Sequence, residues 1–280
     1  MLQKTVHKVN LKKMLSLFLA SALISICPAI AQTNTAMSSL ALNAERTEIP
    51  KALTRKFKRD ASRLALRMQS TNEELRYQSI IIPPDNIENI YNILTNIYVK
   101  DERAKSIAQC NIHTFPNPSI DHIVVMFERD IDWAEPLRDG VSETESQEIN
   151  DLLDDYDLVI EKHVQWDDLR DAITIRSKEP LNMAAIANEF YNVEGVHEID
   201  LGIPKISGND ININRIENGW EVQFVHIFGS YISGEGKVHI WKYNVLDNGE
   251  VIFVSESGEP LPEWMRCHFE GNRDKIMARG

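Results

Sequence analysis

The sequence predicts an α+β protein: an N-terminal helical hairpin, a ferredoxin-like βαββαβ domain and a C-terminal antiparallel β-meander. Three observations predict it. Between residues 120 and 201 the apolar period switches in the order strand, helix, strand, strand, helix, strand. That is the split βαβ pattern, with two helices covering one face of a four-stranded antiparallel sheet. Upstream, two apolar stripes at helical spacing are separated by Ile80-Ile81-Ile82-Pro83-Pro84. Downstream of Ile211, strand-like alternation is punctuated by Asn218-Gly219 and Asn248-Gly249, the strongest short hairpin signals.

The hairpin begins at Pro50, a favoured first helical position, and Leu53, Phe57, Ala61, Leu64 and Ala65 line one face to about Met68. The Pro83-Pro84 pair breaks the chain because proline lacks a backbone donor. Asp85 or Asn86 can cap the next helix, whose stripe is Ile87, Ile90, Tyr91, Leu94, Ile97 and Tyr98. The two helices are expected to pack on the domain that follows. Residues 104–118, with Cys110, Phe115, Pro116 and Pro118, read as a connector.

In the middle domain, Ile120–Phe127 reads as a strand and Gly140–Ser146 as a polar loop, in which Ser142 and Glu145 have capping-box spacing. Ile149, Leu152, Leu153 and Tyr156 make the first helix. Leu158, Ile160 and Val164, then Ile173 and Ile175, make a strand pair turning at Asp167-Asp168. Met183, Ile186, Ala187 and Phe190 make the second helix, capped by Asn182 and stopped by Gly195, before Val196, Ile199 and Leu201 extend again. In the meander, symmetric closure of each turn pairs Phe224 with Trp241, Val222 with Tyr243 and His226 with His239. It also pairs Ile213 with Phe224, Val245 with Ile252 and Tyr243 with Val254. One core face then gathers Ile211, Ile213, Val222, Phe224, Trp241, Tyr243, Ile252 and Val254. Trp264 is expected to cover it.

The organisation is therefore a targeting segment at 1–31, a polar leader at 32–47, a helical region at 48–118, the ferredoxin-like domain at 119–205 and the meander at 206–280. Lys4, Lys8, Lys12 and Lys13 precede an apolar run from Met14 to Ile26, and Ala29-Ile30-Ala31 supplies small residues for cleavage after Ala31. The run is too short to span a bilayer. Cys27 suggests a lipid anchor, but Ile26 precedes it where a small residue is wanted. The expected location is periplasmic or secreted. Cleavage removes four lysines and no acids, moving the net charge from −12 to −16. Such a chain repels nucleic acid and anionic lipid. Cys110 and Cys267 then remain, and an oxidising compartment permits a bridge between them. Two unpaired thiols are the alternative.

Catalytic signatures are sparse. No Gly-x-Ser-x-Gly elbow occurs, since Gly229-Ser230-Tyr231-Ile232-Ser233-Gly234 has the wrong spacing. His226 and His239, as cross-strand partners, could share one metal ion, yet no Cys-x-x-Cys or His-x-x-x-His supplies further ligands. Asp151, Asp154, Asp155 and Asp157 lie on or beside a polar helix face, where solvation is the default. Gly234-Glu235-Gly236-Lys237 lacks the strand–loop–helix context of a phosphate loop. The residues therefore point to no catalytic group and no cofactor.

Tyr156-Asp157-Leu158-Val159-Ile160, Ala172-Ile173-Thr174-Ile175, Met183–Phe190 and Gly195-Val196-His197-Glu198-Ile199 resemble the subtilisin prodomain-like fold over about 80 residues. Such domains act as intramolecular chaperones and inhibitors of subtilisin-type proteases, docking by the sheet and inserting a C-terminal tail. The resemblance implies that Leu201-Gly202-Ile203-Pro204-Lys205 is the corresponding tail. No protease domain follows it here. Over nearly its whole length the layout is similar to secreted bacterial proteins of no assigned activity. Those often carry a cysteine-containing loop before a Trp-x-Phe-x-Val strand. Here Gly229–Gly234 has no cysteine, and Trp241-Lys242-Tyr243-Asn244-Val245 follows. The expected function is a non-enzymatic protein-binding protein whose partner docks on Val196, Ile199, Leu201 and Ile203. The alternatives are an inhibitor or folding helper of a subtilisin-type protease, and a metal-assisted hydrolase using His226 and His239.

Overall fold

The computed structural model describes residues 49–71, 76, 79–116, 118–202, 208–229 and 236–261. The expected targeting segment and leader, Ile203, Pro204, Lys205, Trp264 and Cys267 lie outside them. The described residues form an α+β protein with two antiparallel four-stranded sheets.

Helix α1 spans Lys51–Ser70 and α2 spans Pro84–Lys100. Proline precedes each helix, and neither N-terminus has a side-chain cap. The carbonyl of Pro50 accepts from the Leu53 and Thr54 N–H groups, and that of Pro83 from Asn86 and Ile87. Asp85 and Asn86, expected as caps, thus lie inside α2. A third helix, α3 (Glu102–Gln109), replaces the expected connector. Asp101 caps it by accepting from Arg103 N–H at 2.8 Å. Eight residues carrying only Ala104 and Ile107 as buried apolar positions are too short to register as a period.

Strands β1 (His122–Glu128), β2 (Leu158–Gln165), β3 (Arg170–Ser177) and β4 (Val196–Asp200) form the first sheet in the order β2-β3-β1-β4, every neighbour antiparallel. Helices α5 (Gln147–Asp155) and α6 (Met183–Phe190) share one core with one face of this sheet. Ile123 lies opposite Ile175 and Val125 opposite Ile173. These four and Phe127 meet Ile149, Leu153, Met183, Ile186 and Phe190. Asn182 caps α6 as expected, its side chain accepting from Ala185 N–H. The α5 cap is Ser146, accepting from Ile149 N–H at 3.3 Å, in place of the expected Ser142. The crossover after β1 also contains a 3-10 turn (Asp132–Ala134) and helix α4 (Glu135–Arg138). Trp133 sits over Phe127 with centroids 4.6 Å apart and donates its Nε1–H to the Glu194 carbonyl.

Strands β5 (Asp210–Ile216), β6 (Gly219–Phe228), β7 (Lys237–Leu246) and β8 (Val251–Gly258) form the meander in simple order. The β6–β7 register is the expected one, with Val222 opposite Tyr243, Phe224 opposite Trp241 and His226 opposite His239. The outer hairpins correct the sequence reading. Residues 217 and 218 make the first turn, so Ile213 faces Val222 and Ile211 faces Phe224. Gly219 belongs to β6 because a Cβ there would sit 2.2 Å from the Val245 carbonyl oxygen. The second turn uses three residues, with Gly249 at φ +84° and its N–H bonded to the Leu246 carbonyl. Val245 therefore faces Val251 and Tyr243 faces Phe253. A one-residue slip turns a strand over. Val251 and Phe253 pack on the core, and the expected core residues Ile252 and Val254 are exposed.

The helical hairpin packs on this distal meander. Phe57, Leu64, Ile90, Leu94 and Ile97 share one core with Ile211, Val222, Phe224, Trp241 and Tyr243. The expectation that the hairpin packs on the domain next in sequence is corrected. The apolar face of the first sheet is already covered by α5 and α6, which leaves the meander's face for the hairpin. Contacts to the first sheet are mainly polar: Arg59 pairs with Asp121 at 2.6 Å, and Asn182 Nδ2–H donates to the carbonyls of Arg76 and Ser79. Residues 60–66 of α1 are buried without interruption, so this half of the helix is covered on every side.

Candidate functional site

The edge strand β4 is positioned by the end of α6. Gly195 enters it at φ +81°, where a Cβ would sit 3.1 Å from the Ile131 side chain, and its carbonyl accepts from Glu128 N–H at 2.9 Å. Among the described residues β4 pairs with β1 alone, and a register shift falls between Met126 and Phe127. Ile199 is buried, and Val196 and Leu201 are partly buried against the same core. Of the four residues expected to meet a partner, three are therefore directed at the core and Ile203 lies outside the described residues. The outward side chains are His197, Glu198 and Asp200. The following tail turns at once: Gly202 N–H donates to Asp200 Oδ1 at 2.8 Å. At φ +63°, a Cβ on Gly202 would lie 2.5 Å from His122 Nε2. The exit from β4 thus folds against the start of β1.

Beside this edge lies an open depression of about 690 Å³, lined in part by Arg129, Asp130, Leu169, Arg170, His197 and Glu198. Its rim is ordered by short-range bonds. Asp167 accepts from the Leu169 and Arg170 N–H groups and pairs with the Arg170 guanidinium at 2.6 Å, which holds its carboxyl below the ordinary range. His197 approaches Glu128 at 3.3 Å. Leu169 and nearby Trp166 are 79% and 57% exposed, although both are large apolar side chains. Neither was singled out from the sequence. The available signal was a tryptophan and a leucine flanking Asp167-Asp168, in a turn that otherwise asks for polar residues.

Two buried carboxylates also escaped sequence reasoning. Asp171 lies at the end of β3, within 3.0 Å of His163 Nε2, 3.8 Å of Arg138 Nε and 4.0 Å of Arg129 Nε. Its Oδ1 is buried without a hydrogen-bond partner. Asp60 of α1 accepts from the Thr114 N–H and hydroxyl at 2.8 and 2.7 Å and meets His113 Nδ1 at 2.6 Å. Apart from His163, which reaches Asp171 across the β2–β3 hairpin, the partners are distant in sequence, so no local spacing announces these sites.

His226 and His239 are direct cross-strand neighbours, both buried. Three of their four ring nitrogens are already engaged. His226 Nδ1 meets Asn209 Oδ1 at 2.9 Å, while His239 Nδ1 meets the Glu259 carbonyl and its Nε2 meets Glu256 Oε1 at 2.9 Å. Burial, and then the neighbouring His239, lower the pKa of His226. Among the described residues, no three His, Cys, Asp or Glu side chains are grouped to hold a metal. Cys110, half-buried after α3, is disulfide-bonded. Cys267, its expected partner, lies outside the described residues. Among those residues, no helix is long and apolar enough to cross a membrane. No protein-family model matches the chain, and no match to it was found among curated proteins or solved structures.

Proposed function

We propose that the chain is an exported, non-enzymatic protein-binding protein that takes an extended segment of its partner along the edge of β4. The observation that carries this reading is the place of β4 at the end of the order β2-β3-β1-β4, paired on one side only. An edge of this kind offers unpaired backbone donors and acceptors for strand addition. The adjoining depression adds an apolar anchor, Leu169, among the charged side chains of Arg129, Asp130, Arg170 and Glu198. Export rests on the basic–apolar–small pattern of residues 1–31.

The strand order, with α5 and α6 on one face, supports a ferredoxin-like reading of residues 119–205 and, through it, a second function: inhibition of a subtilisin-type protease. The turn at Gly202 weighs against a tail that enters a cleft, because it directs the chain onto His122. We assign the engaged His226–His239 pair a structural role.

Capture from the exported fraction tests the first reading, using the immobilised full chain and its Leu169→Asp variant. Leu169 is exposed, so this change leaves folding intact. A partner that binds saturably and is retained about tenfold less by the variant is the expected result. No saturable partner, or equal retention, overturns it. Titration against a subtilisin-type protease tests the second reading, which falls if the protein is simply digested.

A further inference from the structure

Charge along this chain is strongly segregated. Residues 51–109 carry eleven lysines and arginines against seven acids, a net charge of +4, whereas residues 110–280 carry fourteen against thirty-three, a net −19. The positive charge is concentrated in α1. Residues 60–66 are buried without interruption, but the first half buries only Phe57, and Lys51, Arg55, Lys56, Lys58 and Arg59 are all exposed. Lys51, Arg55, Lys58 and Arg59 follow the spacing i, i+4, i+7, i+8, a single stripe opposite the core-facing Phe57, Ala61 and Leu64.

Folding does not ask for Lys51 and Arg55 where they stand. The helix N-terminus is the positive end of the helix dipole, so acids stabilise the first turn and bases destabilise it. Helices α2, α3 and α5 follow that rule with Asp85, Glu102 and Glu148. Helix α1 has no acid in its first turn and no side-chain cap. Nor does the stripe serve wholly as internal glue. Arg59 pairs with Asp121, Lys56 donates to Asn111 Oδ1, and Lys58 lies 5.9 Å from the centroid of the Tyr91 ring. Lys51 and Arg55 have no such partner among the described residues. A local rule is broken here without a compensating contact, which marks a functional rather than a structural demand.

We propose that this stripe is a docking surface for an anionic lipid bilayer, touched from outside and not inserted. Only cationic side chains and Ala52 are exposed on this part of α1, so binding is electrostatic and salt-sensitive. A planar anionic surface attracts each nearby Lys or Arg by about 1 kcal/mol within a screening length of about 10 Å. The acid-rich remainder, where it lies beyond that length, is screened from the surface. The stripe also sets the orientation, since the surface attracts this face of α1 and repels the acid-rich remainder. A flat polyanion exploits this polarity; a short acidic peptide gains nothing from it. Net charge alone argues against anionic lipid, and its distribution reverses that argument.

The exported protein, sedimented with vesicles of neutral lipid and with vesicles containing anionic lipid, tests the proposal. Binding to the anionic vesicles only, abolished at high salt, is expected. The double variant Lys51→Glu with Arg55→Glu should bind them about 30-fold more weakly. Its thermal midpoint should be unchanged or higher, because acids then occupy the first turn. Equal binding to neutral vesicles, no binding to anionic ones, or undiminished binding by the folded variant overturns the proposal. So does preference for poly-glutamate or duplex DNA over the vesicles.

Discussion

His226 lies opposite His239 at the end of the meander's core face, and it gives the protein a pH dependence with a definite sign. Burial, reinforced by His239, depresses its folded-state pKa below the ordinary histidine value of about 6.5. On acidification through that value the unfolded chain takes up a proton that the folded chain refuses. Stability is therefore full above about pH 6.5 and falls as the pH drops towards the folded-state pKa. Thermal midpoints from about pH 8 to about pH 5 should decline for the native protein and decline less for His226→Gln. Parallel curves would remove His226 as the cause. Asp121 acts lower on the scale. Burial opposes its ionisation, but the His122 hydrogen bond and Arg59 outweigh burial and hold its carboxyl below the ordinary value. Its contribution is present above about pH 4 and lost below it.

At the scale of elements, the hairpin turns decide which side chains reach the core. The expected β6–β7 pairs held because both strands carry long, unbroken alternation from Trp220 to Phe228 and from Lys237 to Val245. The reading of β8 failed at the turn. Gly249 in a left-handed conformation lengthened the loop by one residue and exchanged Ile252 and Val254 for Val251 and Phe253. Gly219 is the sharper case, since its identity is set by the Val245 carbonyl of the adjacent strand rather than by its own turn. Gly219→Ala should destabilise the protein by about 1–3 kcal/mol in denaturant unfolding, because two backbones must separate to admit the methyl group. A loss below about 0.5 kcal/mol would show that β6 and β7 part easily there. The candidate site illustrates the same limit. β4 itself was legible from Val196, Ile199 and Leu201, but those residues serve the core, and the outward set beside Leu169 depends on β4 lying next to β1.

At the scale of the whole molecule, α1 ties the layers together. It joins the meander by apolar packing and by Arg67, which pairs with Asp210 at 2.9 Å, and it joins the first sheet through Arg59 and Asp121. The disulfide at Cys110 adds a covalent tie near the end of α3. If cleavage after Ala31 removes Cys27, Cys267 is the cysteine left to form it. Peptide mapping of the protein without reductant should recover the Cys110–Cys267 pair. Reduction should lower stability by about 2–5 kcal/mol. Recovery of either peptide as a free thiol would sink this prediction.

The amino-acid order alone determined the succession of the strands and of α1, α2, α5 and α6, the apolar stripes of α1 and α2, and the inward faces of β1, β3, β6 and β7, but not the short α3 and α4. Each of these is encoded by spacing within a few residues, which is where backbone geometry acts. Only the tertiary structure decided that the hairpin covers the distal meander, that Asp60 and Asp171 are buried beside partners from other segments, and that the first half of α1 keeps its cations exposed. Periodicity states that a face is apolar, but it does not name the face that will cover it. That choice is made by the competition among all apolar surfaces of the chain for burial.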